Sequence, residues 1–298
     1  MIRGLGASPQ ASPGFEAGAS SAVAVSYPTS HGMTAHALYY PPAHPQYRGP
    51  DGAKPPLIVI AHGGPTNHTT PAYNVGTHYW TSRGFAVLDL NYRGSTGFGR
   101  DYRRSLYGRM GEYDVADAVQ GAKYVADRGL ADPDRLLIRG NSAGGFIVLA
   151  ALTFHDVFRA GANYFGVSDL AALRADTHKF ESRYIETLIG PWPAQRDRYR
   201  ELSPIYNLDG LDRPLIVFQG LDDKVVPPDQ STRIVEALRT RGIPIAYLEF
   251  AGEAHGFRQL KTNVEAREAE LAFYGRILGF EPAGELPAVR IDNLPQDP

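Results

Sequence analysis

The stretch Arg135-Leu136-Leu137-Ile138-Arg139-Gly140-Asn141-Ser142-Ala143-Gly144-Gly145 decides the fold. Its first five residues read as an extended run, and an apolar segment from Phe146 to Phe154 with helical character follows Gly145. Between the two lies Gly-x-Ser-x-Gly, the pattern of a strand that turns sharply into a helix and leaves a serine at the apex. Such a serine sits on a strained, tight turn, and side chains at positions 140 and 144 would collide with the neighbouring strand and helix. The helix start behind Ser142 offers free N–H groups and a positive dipole end to a developing oxyanion. The bare motif also arises by chance. The strand before it, the helix after it and the extra Gly145 make Ser142 the candidate nucleophile.

Outward from this turn, β-type runs lie at 22–27, 33–40, 57–62, 85–91, 135–140, 160–165, 214–219 and 245–250. Leu57-Ile58-Val59-Ile60-Ala61 and Leu215-Ile216-Val217-Phe218 are apolar throughout. Continuous apolar runs bounded by Gly or Pro suit central strands covered by helices on both faces. The first two runs, separated by Pro28 and by His31-Gly32, read as an antiparallel hairpin at a sheet edge. Helical spacing fills the gaps: Val115, Val119, Ala122 and Val125 ahead of Gly129, then Val264, Leu271, Tyr274 and Leu278 ahead of Gly279. This alternation predicts an α/β fold with an eight-stranded, mostly parallel sheet and helices on both faces. With a hairpin at its start, the layout is that of the α/β-hydrolase fold. One domain is expected over 21–280. Residues 1–20, rich in Ala, Ser, Gly and Pro, are expected to be disordered, and 281–298, with Pro282, Pro287, Pro295 and Pro298, to form a flexible tail.

Composition excludes several classes. The 30 basic and 32 acidic residues are interspersed and leave a formal net charge of -2, so neither nucleic acid nor an anionic membrane is an expected partner. With no cysteine there is no disulfide, thiolate metal site or cysteine nucleophile. The N-terminus lacks the apolar core of a signal peptide, and no apolar stretch is long enough to span a membrane, which leaves the cytoplasm as the default compartment. His31, His36, His44, His68 and His78 show no metal-ligand spacing. The glycines of Asn91 to Gly99 lack the Lys-Ser/Thr ending of a phosphate loop, so this segment reads as a shaped loop framing the site. No cofactor or metal is expected. Trp192, in Gly190-Pro191-Trp192-Pro193, reads as packing more readily than as substrate contact.

In the α/β-hydrolase order the acid and the histidine follow the serine. Of the histidines after Ser142, His155 ends the nucleophile helix and His178 precedes every plausible acid loop. His255, in Gly252-Glu253-Ala254-His255-Gly256-Phe257 directly after an apolar strand, is the candidate general base. The acid is expected in Gln219-Gly220-Leu221-Asp222-Asp223-Lys224-Val225-Val226-Pro227, where two adjacent aspartates qualify equally. Asp169 is a third option, better suited to capping the next helix. His62-Gly63-Gly64-Pro65 follows the strand at 57–61, the place where this fold supplies an oxyanion N–H; Gly64 and Ala143 are the expected donors.

Taken together, His62-Gly63-Gly64-Pro65, Asn91-Tyr92-Arg93-Gly94-Ser95-Thr96-Gly97-Phe98-Gly99, the serine turn, the Gln219 to Pro228 loop and Ala254-His255-Gly256 resemble the catalytic domain of the prolyl oligopeptidase family of serine peptidases. The nearest branch is similar to acylaminoacyl and dipeptidyl peptidases, and the likeness spans roughly residues 22 to 280. The resemblance implies an acid three residues after Gly220, which selects Asp223. It also implies Gly64 as oxyanion donor and Val225 and Val226 as substrate-binding candidates. It implies hydrolysis of short peptides by a serine-type peptidase, with a carboxylesterase or a catalytically silent interaction module as the alternatives. Asn141 departs from the Gly, Arg or Trp common in relatives. The family also carries a long β-propeller ahead of this domain, for which the residues before the third strand are too few. The expectation is either a standalone hydrolase, alone or as a homo-oligomer, or the C-terminal part of a longer protein whose propeller would be its partner domain.

Overall fold

Alternation decides how the apolar runs pack. In a computed structural model, which describes residues 18–176 and 183–294, Leu57, Val59 and Ala61 face one hydrophobic layer while Ile58 and Ile60 face the other. Leu215 and Val217 against Ile216 and Phe218 repeat the pattern, so these strands are apolar throughout because both faces are buried. The sheet has eight strands: β1 (Val23–Pro28), β2 (Thr34–Tyr40), β3 (Leu57–Ala61), β4 (Ala86–Asn91), β5 (Leu136–Asn141), β6 (Ala160–Tyr164), β7 (Leu215–Gly220) and β8 (Ile245–Phe250). Their order is β1-β2-β4-β3-β5-β6-β7-β8. The β1–β2 and β2–β4 pairings are antiparallel and the rest parallel, so the expected hairpin does sit at the edge.

Helices α1 (Val75–Thr81), α2 (Arg100–Arg104), α3 (Tyr113–Asp127), α4 (Ala143–Phe154), α5 (Leu170–Asp176), α6 (Tyr184–Ile189), α7 (Arg196–Leu202), α8 (Asp229–Thr240) and α9 (Leu260–Leu278) fill the connections. Residues of α3, α4 and α8 build one apolar layer, and those of α1 and α9 build the other. α9 ends on Gly279, whose φ of 71° is a left-handed cap open to glycine. Val264 is exposed, not on the buried face of α9; Ala266, Ala269 and Phe273 join Leu271 and Tyr274 there instead. Among the described residues no helix is long and apolar enough to cross a membrane.

The chain ends need correction. Residues 1–17 of the segment expected to be disordered lie outside the described residues, as does His178. Ser20 already donates to the Pro41 carbonyl at 2.6 Å. The tail expected to be flexible is docked over its described part. Ile245 and Asp292 exchange hydrogen bonds of 3.1 and 2.8 Å, which covers the open edge of β8. Asp292 also pairs with Arg239 at 2.6 Å, and Leu286, Val289 and Ile291 pack on the α9 layer. The prolines suggest a free tail, but these spaced apolar residues supply the adhesion.

Two buried ionic groups brace the loops that frame the site. Arg93 and Asp117 are both fully buried and pair at 2.8 Å; the guanidinium also donates to Ser30, tying the hairpin turn to α3. Asp89 on β4 accepts the Thr69 hydroxyl, and Asn91 bonds both the N–H and the carbonyl of Thr69. Burial pushes the Asp89 pKa up to about 6, against the opposing pull of the Thr69 bond and of Arg139. A carboxyl raised in the fold favours the protonated form. Its contribution, on the order of 3 kcal/mol, is therefore present below about pH 4 and lost as pH rises through about 6. Urea unfolding at about pH 4.5 and 7.5 should show this fall. Asp89→Asn, which keeps an acceptor for Thr69 and cannot ionise, should show a shallower one; equal slopes for both proteins would refute the assignment.

Candidate active site

Strand β5 ends in a turn that only small residues permit. A Cβ on Gly144 would lie 2.0 Å from the Ala61 carbonyl oxygen, and one on Gly140 would lie 2.4 Å from that of Gly144. Both positions bring backbone directly onto backbone, where nothing can move aside. Ser142 itself adopts φ 55° and ψ -119°, a strained conformation for a residue with a side chain. Its N–H donates to the Tyr164 carbonyl at 3.0 Å, and its carbonyl accepts from Phe146, so the strain is held from both sides.

The hydroxyl of Ser142 is 2.9 Å from His255 Nε2. His255 Nδ1 lies 2.8 Å from Asp223 Oδ2. The other oxygen of Asp223 accepts the backbone N–H groups of Val225 and Val226, each at 2.9 Å, which fixes the carboxylate and leaves Oδ2 for the imidazole. Asp222 is exposed and turned away, its N–H engaged by the Glu253 carbonyl. Asp169 accepts from Ala171 and Ala172 at the start of α5 and pairs with Arg233, so it caps a helix. The structure thus brings Ser142, His255 and Asp223 into one hydrogen-bonded series and excludes Asp222 and Asp169 from it.

The two valines part company. Val225 is 41% exposed beside Asp223, whereas Val226 is 1% exposed and belongs to the core. As a substrate-binding candidate Val226 is therefore corrected: the turn capped by Asp223 rotates it inward. Trp192 packs edge-on against Tyr199, with centroids 5.2 Å apart.

Opposite the serine, a Cβ on Gly63 would come within 3.4 Å of Ser142 Cβ, so the His62–Pro65 loop lies directly against Ser142. The N–H of Gly64 and that of Ala143 have no protein acceptor among the described residues. Tyr92, from the Asn91 to Gly99 segment, holds the loop by donating its hydroxyl to the His62 carbonyl at 2.9 Å.

Two residues go unread in the sequence. The buried Glu253 accepts from the N–H groups of Arg258 and Gln259, at 2.8 and 3.0 Å, and so shapes the turn that carries His255. Phe165, at a positive φ of 39°, sets its ring edge-on to the imidazole with centroids 4.9 Å apart. The only trace of either is proximity in sequence: Glu253 two residues before the histidine and Phe165 at the end of a strand.

A family model described as the prolyl oligopeptidase family matches residues 71–281. The dipeptidyl aminopeptidase BIII of Pseudoxanthomonas mexicana is 31% identical over 245 residues, covering 80% of this chain and 36% of the relative. The human acylamino-acid-releasing enzyme is 28% identical over 247 residues, covering 79% of this chain and 32% of the relative. A puromycin-hydrolyzing peptidase of Mycobacterium tuberculosis superimposes with a TM-score of 0.89 at 47% identity, covering 92% of this chain and 41% of that structure. The chain spans about a third of the length of the curated relatives it matches. The family match covers well over half of the chain, and with it the chain belongs to the prolyl oligopeptidase family.

Proposed function

We propose that the chain is a serine peptidase that cleaves short peptides or aminoacyl amides through an acyl-enzyme. The observation that carries this reading is the unbroken series from Ser142 through His255 to Asp223 beside two free N–H groups. His255 Nε2 takes the hydroxyl proton as Ser142 attacks the carbonyl carbon. The N–H groups of Gly64 and Ala143 receive the oxyanion as it forms, each donor contributing about 10²–10³ in rate. Asp223 keeps the Nδ1–H tautomer and stabilises the imidazolium. The imidazolium then protonates the leaving amine, and a water deprotonated by His255 releases the acid.

The triad chemistry acts on amides and esters alike. The amide reading draws on the relatives: a dipeptidyl aminopeptidase, an acylamino-acid-releasing enzyme and a puromycin-hydrolyzing peptidase. An N-acetyl-aminoacyl anilide, puromycin and a short-chain aryl ester, assayed side by side, test it. Cleavage of the anilide or puromycin that disappears in Ser142→Ala is the expected outcome. Cleavage of the ester alone would move the chain to the carboxylesterase class.

A further inference from the structure

The ring of His62 is held at both nitrogens and on one face. Its Nδ1 lies 2.8 Å from the Gly63 carbonyl oxygen, and its Nε2 lies 2.8 Å from the Ser95 hydroxyl. Its face stacks on Tyr92 with centroids 4.3 Å apart and planes 22° from parallel. Tyr92 in turn grips the His62 main chain through the carbonyl. Among the described residues this ring hydrogen-bonds neither Ser142 nor His255, so its restraint calls for a reason, and the peptide it grips supplies one.

The Gly63–Gly64 peptide is trans. In a trans peptide the C=O and the following N–H point in opposite directions within one plane. Fixing the Gly63 carbonyl on one side therefore fixes the Gly64 N–H on the other. No side chain on either glycine restricts rotation of this peptide, and a flip would turn a carbonyl oxygen toward the developing oxyanion. We infer that His62 is a positioning residue: its Nδ1–H clamps the Gly63 carbonyl and thereby aims the Gly64 N–H at the oxyanion. The inference rests on Gly64 being an oxyanion donor, as proposed above.

The protonation state fits. Burial lowers the His62 pKa to about 4, so near neutral pH the ring carries one proton. A carbonyl can only accept, which places that proton on Nδ1 and leaves Nε2 to accept from Ser95. The Ser95 hydroxyl also lies 2.7 Å from the Tyr92 carbonyl, so it divides one proton between two acceptors. The Ser95 bond is therefore the weaker of the two that hold the ring, and the Gly63 bond is the one whose loss should matter.

The test compares His62→Ala, His62→Asn, Ser95→Ala and Ser142→Ala on the best amide substrate. His62→Ala should lower kcat by about 10- to 100-fold, a fraction of the loss of a donor, with KM nearly unchanged. The affinity of a peptidyl trifluoromethyl ketone, whose adduct carries an oxyanion, should fall by the same factor. Asn presents an amide N–H near the place of Nδ1 and should recover most of the rate. Ser95→Ala should lose less than His62→Ala. A residue serving only to fold the loop would lower thermal stability and raise KM without this parallel between kcat and ketone affinity. Unchanged kcat in His62→Ala, unchanged ketone affinity, or no recovery with Asn overturns the inference, provided Ser142→Ala is inert. An active Ser142→Ala overturns the peptidase reading itself, and the inference with it. Should His62→Ala fail to fold, His62→Phe takes its place, because it keeps a ring on Tyr92 and lacks the N–H. A parallel loss of kcat and ketone affinity in His62→Phe that Asn does not show supports the clamp, and wild-type values in His62→Phe refute it.

Discussion

Ser142→Ala is expected to lower kcat/KM on an aminoacyl anilide by about 10⁶-fold, to the level left by binding and the oxyanion donors alone. The fold should survive, because alanine has the same backbone requirement as serine at φ 55° and, among the described residues, the hydroxyl bonds only His255. Thermal melts of the two proteins should agree within a few degrees. A loss of activity accompanied by unfolding would show that the turn, not the hydroxyl, had been removed.

Asp223→Asn should cost about 10⁴-fold in kcat. The asparagine oxygen can still accept from Val225 and Val226 while its NH₂ faces His255 Nδ1. An NH₂ there forces the proton onto Nε2, the atom that must accept the proton of Ser142, so the ring is held in the wrong tautomer. The neighbour is a built-in control. Asp222 is exposed and does not touch the imidazole, so Asp222→Asn should stay within about twofold of wild type. A reversal of the two effects would assign the acid to Asp222.

How far this could be read from sequence depended on the kind of information each feature uses. The strands were legible because burial on both faces leaves an apolar run, as in Leu57 to Ala61, and each began and ended within one residue of the expectation. The serine turn was legible because backbone crowding at Gly140 and Gly144 admits only glycine. Choosing between Asp222 and Asp223 was beyond periodicity, since adjacent residues in a loop differ only in the direction of their side chains. The resemblance to a family, not the local pattern, separated them. Val225 and Val226 were beyond both the local pattern and the resemblance, which implied them together; two backbone N–H groups held by Asp223 decide which side chain is buried. Glu253 was invisible because it acts on main-chain N–H groups, which carry no side-chain signature. The tail misled because proline content describes local stiffness and says nothing of the Ile245–Asp292 bridge, a contact across 47 positions.

The acyl-enzyme is tested most directly by quenching the reaction with an aryl ester in acid within its first turnover and mapping the acylated residue by mass spectrometry. A stoichiometric burst of phenol and a single acyl group on Ser142 are expected. Turnover without acylation of Ser142, or an acyl group carried elsewhere, would contradict an acyl-enzyme at this serine.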